Sequence, residues 1–142
     1  MLLLQLLEKV QEKILCKKPK SFFFHTILSL LLSKKYFQII LDRFPDTDYS
    51  LDAKYKLEYI GDFLAAKELY IARHYIKKQK WIAAINRLKK VINNYDTTIY
   101  VEEALHRLVE VHYIIGLESE AQKYAKTLGY NYKTSRWYKE TY

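Results

Sequence analysis

Trp81-Ile82-Ala83-Ala84-Ile85-Asn86-Arg87-Leu88-Lys89-Lys90-Val91-Ile92-Asn93-Asn94-Tyr95 is the stretch on which the fold turns. Its residues Trp81, Ala84, Ile85, Leu88, Val91, Ile92 and Tyr95 fall at i, i+3, i+4, i+7, i+10, i+11 and i+14. That spacing makes one wide apolar face of an α-helix. Asn86, Arg87, Lys89 and Lys90 lie off it. A helix with one apolar stripe must bury that stripe on another element. Downstream, Asp96-Thr97-Thr98 reads as a turn that offers caps, and Val101, Ala104, Leu105, Leu108, Val111 and Ile115 form the next helical stripe. Gly116 followed by Leu117 reads as a left-handed C-terminal stop with its hydrophobic contact. Ala121, Tyr124, Ala125 and Leu128 mark the last clear helix, and Gly129-Tyr130 reads as a second stop of the same kind.

Upstream, Ala53, Leu57, Ile60 and Leu64 recur at helical spacing, and Leu69, Ala72, Tyr75 and Ile76 extend the face to Lys77-Lys78-Gln79-Lys80. Gly61 inside this pattern marks either a kink or the join of two helices. Phe44-Pro45-Asp46-Thr47 is a turn in which Asp46 or Thr47 can cap the next helix. A further element is expected from about Ser21 to Phe44. Its apolar run over residues 22–32 is short of the roughly 20 residues that cross a bilayer, so a buried helix is expected. Residues 2–15 place Leu3, Leu6, Leu7, Val10 and Ile14 on a stripe that Lys17-Lys18-Pro19-Lys20 breaks.

Composition supports the same class. With 3 Gly and 2 Pro in 142 residues, the chain lacks the turn residues that sandwiches, barrels and Gly-rich nucleotide folds need. Hydrophobic residues at 50% and charged residues at 28% fit a globular chain. One Cys excludes an internal disulfide framework and a multi-cysteine zinc site. The net charge of +8 suits an acidic protein surface, anionic lipid or nucleic acid. The 14 Tyr suit half-buried helix seams and protein interfaces. The N-terminus has an apolar start, but no basic region precedes it, and Glu8, Lys9, Glu12 and Lys13 come soon after with no small-residue cleavage site. Lys13-Ile14-Leu15 before Cys16 is not a lipobox.

Two turns echo each other. Residues 44–53, FPDTDYSLDA, align with 95–104, YDTTIYVEEA: an aromatic ends one helix, a turn comes next, and a Tyr and an acid-Ala pair open the second helix. Ala84 and Ala121 each stand early in the second helix of a pair, at a spacing near the 34-residue tetratricopeptide period with a few residues added. Helix pairs of this kind cannot bury their stripes alone and stack into a solenoid. The expected fold is therefore all-α, with tetratricopeptide-like helical hairpins in a short solenoid. The expected organisation is a divergent helical extension over 1–35, a repeat domain over 36–130 and a polar, aromatic tail over 131–142.

Specific residues carry a family likeness. Leu64-Ala65-Ala66-Lys67-Glu68-Leu69-Tyr70-Ile71-Ala72-Arg73-His74-Tyr75 resembles the L-A-x-x-E-x-Y-x-A-x-Y-Y segment of the BamD family, the tetratricopeptide lipoproteins of the outer-membrane β-barrel assembly machinery. Trp81-Ile82-Ala83-Ala84-Ile85-Asn86-Arg87 matches the family's aromatic-x-A-A-I-N-R. The Tyr-Asp-Thr turn, Val101-Glu102-Glu103-Ala104-Leu105, Leu117-Glu118-Ser119-Glu120-Ala121, Gly129-Tyr130-Asn131-Tyr132 and Ser135-Arg136-Trp137-Tyr138 continue the likeness. It covers about residues 36–142, and residues 1–35 do not match. The resemblance therefore implies an N-terminally truncated BamD-like protein. It implies a non-enzymatic scaffold at the periplasmic face of the outer membrane, whose C-terminal repeats hold the periplasmic domain of BamA alongside other subunits of the complex. In the family, the Arg of I-N-R is a candidate partner for a BamA carboxylate. The matching residue is Arg87, which lies off the apolar stripe and so is free to pair. Asn86 and Lys90 are its neighbours, and Arg73 could as easily brace an acid within the repeat.

No residue pattern suggests catalysis, a cofactor or a metal. His25, His74, His106 and His112 lack ligand spacing, and Cys16 has no base partner or nucleophile motif. Glu102 and Glu103 near a helix start read as dipole-stabilising acids. There is no phosphate loop or nucleophile elbow. The competing function is a basic helical-repeat module that binds nucleic acid or another acidic partner. Against nucleic acid, the lysines are scattered over many helices and no recognised motif is present.

Overall fold

The computed structural model describes residues 22–141, with side chains from Thr26 onward. Among these residues there are six helices and no strand: α1 (Phe22–Arg43), α2 (Asp48–Lys77), α3 (Trp81–Asn94), α4 (Tyr100–Ile114), α5 (Glu118–Asn131) and α6 (Arg136–Thr141). The fold is all-α and built from tetratricopeptide-like hairpins. The expected stripe over residues 2–15, the break at 17–20, Cys16 and the side chain of His25 lie outside the described residues. Two compact units share the chain, one ending at Ile60 and one beginning at Gly61, with the boundary inside α2. The helix is continuous through Gly61, so this glycine does not mark the join of two helices.

In the first unit, α1 and the start of α2 are linked by the Phe44–Thr47 turn. The Thr47 hydroxyl donates to the Phe44 carbonyl at 2.9 Å, and the Ser50 hydroxyl donates to the Pro45 and Thr47 carbonyls at 2.6 and 2.8 Å. Ala53 and Ile60 are buried, and Lys56 Nζ stands 5.6 Å from the centre of the Phe37 ring. The turn after α3 repeats this chemistry. The Thr98 hydroxyl donates to the Tyr95 carbonyl at 2.8 Å, and Ala104, aligned with Ala53, is fully buried. The echo read between residues 44–53 and 95–104 is thus one hydrogen-bonded turn used twice. The threonines tie the end of the preceding helix; at the start of α4 no side chain caps an N–H.

The second unit repeats at 37 residues. Ala84 and Ala121, Val91 and Leu128, Tyr95 and Tyr132 occupy matching places. Its main core joins Ala65, Leu69 and Ala72 of α2 to Ile85, Leu88 and Val91 of α3 and to Ala104, Leu108 and Val111 of α4. A second cluster joins Val101 and Leu105 of α4 to Leu128 of α5, with Tyr132 and Tyr138 packed against it. Alanines at the crossings let helices approach closely, and leucines fill the grooves between them.

Both helix-to-helix turns at one end of these pairs are left-handed stops. At Gly116 (φ 80°) the Leu117 N–H reaches the His112 carbonyl at 2.9 Å and the Gly116 N–H reaches Tyr113 at 3.1 Å. The same pair of bonds closes α2, with Lys80 N–H on the Tyr75 carbonyl and Gln79 N–H on Ile76, both at 2.9 Å. Gln79 supplies the left-handed residue there, at φ 55°. A side chain at that φ is disfavoured. Gln79→Gly should therefore stabilise the chain by ~1 kcal/mol, and Gly116→Ala should destabilise it by a similar amount. Thermal melts followed by circular dichroism check both signs.

Gly129 is no stop. α5 continues through it to Asn131, and the Tyr132 N–H bonds the Leu128 carbonyl at 2.9 Å. A glycine inside a helix is tolerated at a cost of roughly 1 kcal/mol. The chain beyond α5 folds back as α6. Ser135 accepts the Trp137 N–H at 3.1 Å, and the Trp137 ring lies 5.2 Å from His106 and 4.5 Å from the Arg136 guanidinium.

Candidate functional site

The apolar stripe of α2 in the second unit reads Leu64, Ala65, Glu68, Leu69, Ala72, and all five are buried. A carboxylate at such a place needs charged partners. α3 supplies two, one helical turn apart. Arg87 Nη1 stands 2.9 Å from Glu68 Oε2 and Lys90 Nζ stands 2.8 Å from Oε1. Their heads reach the carboxylate from α3. Burial alone would raise the Glu68 carboxyl, but the hydrogen bonds from Lys90 and Arg87 outweigh it and hold the group below the usual carboxylate range. Burial pushes the nearby Tyr95 phenol up.

Arg87 is therefore not free, as its place off the stripe suggests. It is committed to Glu68 and still more than a third exposed, as is Lys90. Two cations on one carboxylate leave one positive charge in excess. Asn86 is exposed and shares a face with Lys90 at i, i+4. The three residues named from sequence thus form one patch of α3, organised by a residue that sequence reading left without a role. The available signal for Glu68 was an acid standing in an otherwise apolar stripe.

A second ion-paired cluster links α2 to α4. Arg73 grips Glu103 with two hydrogen bonds, one of 2.7 Å from Nε to Oε1 and one from Nη2 to Oε2. Arg73 braces an acid within the repeat: Glu103, which stands with Glu102 in the first turn of α4 as expected, is also buried as the partner of Arg73. Arg107 Nε lies 3.7 Å from Glu103 and its Nη1 bonds Glu110 at 2.7 Å. His106 Nδ1 meets the Thr141 hydroxyl at 2.7 Å, and that hydroxyl donates to the Trp137 carbonyl. His106 Nδ1–H is therefore the donor of the pair. His112 Nδ1–H donates to the Leu108 carbonyl at 2.7 Å. Both histidines are structural. Among the described residues no group of three potential ligands could hold a metal, and no helix is long and apolar enough to cross a membrane.

Helical hairpins in register at 37 residues, tied by buried ion pairs and presenting a charged face, define a tetratricopeptide-like repeat protein. A family model described as "YfiO: Outer membrane lipoprotein" matches residues 25–128, and the chain belongs to that family. It is 48% identical over 111 residues to the outer membrane protein assembly factor BamD of Rickettsia prowazekii, covering 78% of this chain and 44% of that protein. The BamD of Caulobacter vibrioides is 44% identical over 103 residues, covering 72% and 34%. That of Neisseria gonorrhoeae is 42% identical over 69 residues, covering 49% and 26%. The chain thus matches less than half the length of each of these relatives.

Proposed function

We propose that this chain is a non-enzymatic scaffold of the outer-membrane β-barrel assembly machinery, at the periplasmic face of the outer membrane. Its repeat domain, residues 36–130, docks to the periplasmic domain of BamA and contacts other subunits of that complex. Arg87, Lys90 and Asn86 form the docking patch. The observation that carries this reading is the buried Glu68 holding Arg87 and Lys90 in one place with one positive charge in excess. A guanidinium fixed on one side retains N–H donors for a partner carboxylate. The assembly-factor name of the relatives supports the same role. Glu103 and Glu68 neutralise two of the three charges of Arg73, Arg87 and Lys90, which reduces the basic surface that a nucleic-acid interface needs.

The test is calorimetric titration of the full chain with a purified BamA periplasmic fragment. Arg87→Glu is a poor probe, because it sets a second carboxylate against buried Glu68. Arg87→Gln keeps a hydrogen-bond donor for Glu68 and leaves Lys90 in place. It should weaken binding roughly tenfold or more with little change in melting temperature. Asn86→Asp, at an exposed position, should weaken binding several-fold by bringing a negative charge to the patch. Unchanged affinity in both variants would remove this patch from the interface.

A further inference from the structure

We propose that the end of the second unit formed by the α2–α3 and α4–α5 turns docks onto a lipid surface bearing anionic headgroups. Each of these turns is three residues long, so each joins antiparallel neighbours and both stand at the same end of the helix pairs. The 37-residue register places Lys77 opposite Ile114 and Lys80 opposite Leu117. One turn is therefore basic and the other apolar. Lys77, Lys78, Gln79 and Lys80 are placed at the first turn with Lys78, Gln79 and Lys80 exposed, and Ile82 beyond them is exposed as well. Tyr113, Ile114 and Leu117 are 69%, 57% and 48% exposed.

Tyr113 and Ile114 at the end of α4 and Leu117 in the turn after it are exposed, while Leu105 and Leu108 of α4 are buried. Because both turns stand at one end of the helix pairs, one surface can meet both at once. A membrane surface offers the matching chemistry. Its phosphate-bearing headgroups attract the lysines, and the boundary with the acyl chains receives the Tyr ring and the aliphatic side chains. Glu118 and Glu120 open α5 at this end. The attraction is thereby concentrated at the lysine turn and the insertion at the turn of Tyr113, Ile114 and Leu117.

The test is co-sedimentation of the full chain with vesicles of phosphatidylcholine containing phosphatidylglycerol, against phosphatidylcholine alone. The wild type should bind the anionic vesicles and lose binding in high salt. Lys77→Glu with Lys78→Glu and Lys80→Glu should weaken binding ~100-fold. Tyr113→Ser with Ile114→Ser and Leu117→Ser leaves the charge unchanged and should weaken binding tenfold or more. The control is Lys126→Glu with Lys133→Glu and Lys139→Glu, an equal charge change placed away from these turns. It should bind within about threefold of the wild type. Absence of binding by the wild type would overturn the proposal. Equal loss in the control and the lysine-turn variant would do so too, since it would mean a general charge effect.

Discussion

Leu88→Ala is expected to lower stability by about 3–5 kcal/mol, the upper part of the range for such truncations. Leu88 is fully buried at the centre of the core that joins α2, α3 and α4. Its surroundings give the cavity little chance to close. The helices already approach through Ala65, Ala72, Ala84 and Ala104, each with no exposed surface, so the backbones cannot move in further. Domains of this size hold only about 5–15 kcal/mol, so the loss is a large fraction of the total. It should appear as a fall of roughly 10 °C or more in the circular-dichroism melt. Ile82→Ala on the same helix is the internal control. Ile82 is 68% exposed, and its truncation should stay within about 0.5 kcal/mol. Similar losses at both positions would contradict the placement of the stripe.

What was legible in the sequence was whatever rests on period and local turn chemistry. The α3 stripe could be assigned because every position at helical spacing from Trp81 to Tyr95 is buried or half-buried, while Ile82, Asn86 and Lys89 off the stripe are exposed. The paired turns were legible because an aromatic and a threonine three residues later make the same hydrogen bond in both. Gly116 was readable as a stop since glycine is the residue that adopts its φ without strain. Gln79 makes the same stop without that signal, and Gly129 carries the signal inside a helix that continues. Both cases are decided by the hairpin register, in which residue 79 must turn and residue 129 must not. The charged partners were the least legible part. Arg87 and Arg73 were visible as cations off the apolar face, yet their partners lie 19 and 30 residues away. Glu68 and Glu103 belong to stripes that pack inward, and periodicity says where a residue points without saying what meets it there.

Glu68 gives the second large effect, and its size depends on which partner is removed. Replacing both cations, Arg87→Met with Lys90→Met, leaves a buried carboxylate without a counter-charge and should cost ~3–5 kcal/mol at neutral pH. Removing the carboxylate, Glu68→Gln, should cost less, about 1–2 kcal/mol, because Arg87 and Lys90 are each more than a third exposed and can turn to water. Replacing all three by Leu and two Met should come close to neutral, as apolar side chains fill a buried ion-pair site well. Acid separates these cases further. In the wild type the Glu68 carboxyl lies below its ordinary value, so its contribution is complete above the ordinary carboxyl range, about 4.3, and is lost as pH falls through the folded value. In the double-Met variant only burial acts, which raises the folded value above the unfolded one. Protonation then favours the folded state, and the variant recovers stability as pH falls toward 4. The gap in melting temperature between wild type and double-Met variant should therefore narrow steadily from pH 7 to pH 4. Every other carboxylate is common to both chains and cancels in that difference. A gap that stays constant over this range would mean that Glu68 is not the group that Arg87 and Lys90 neutralise.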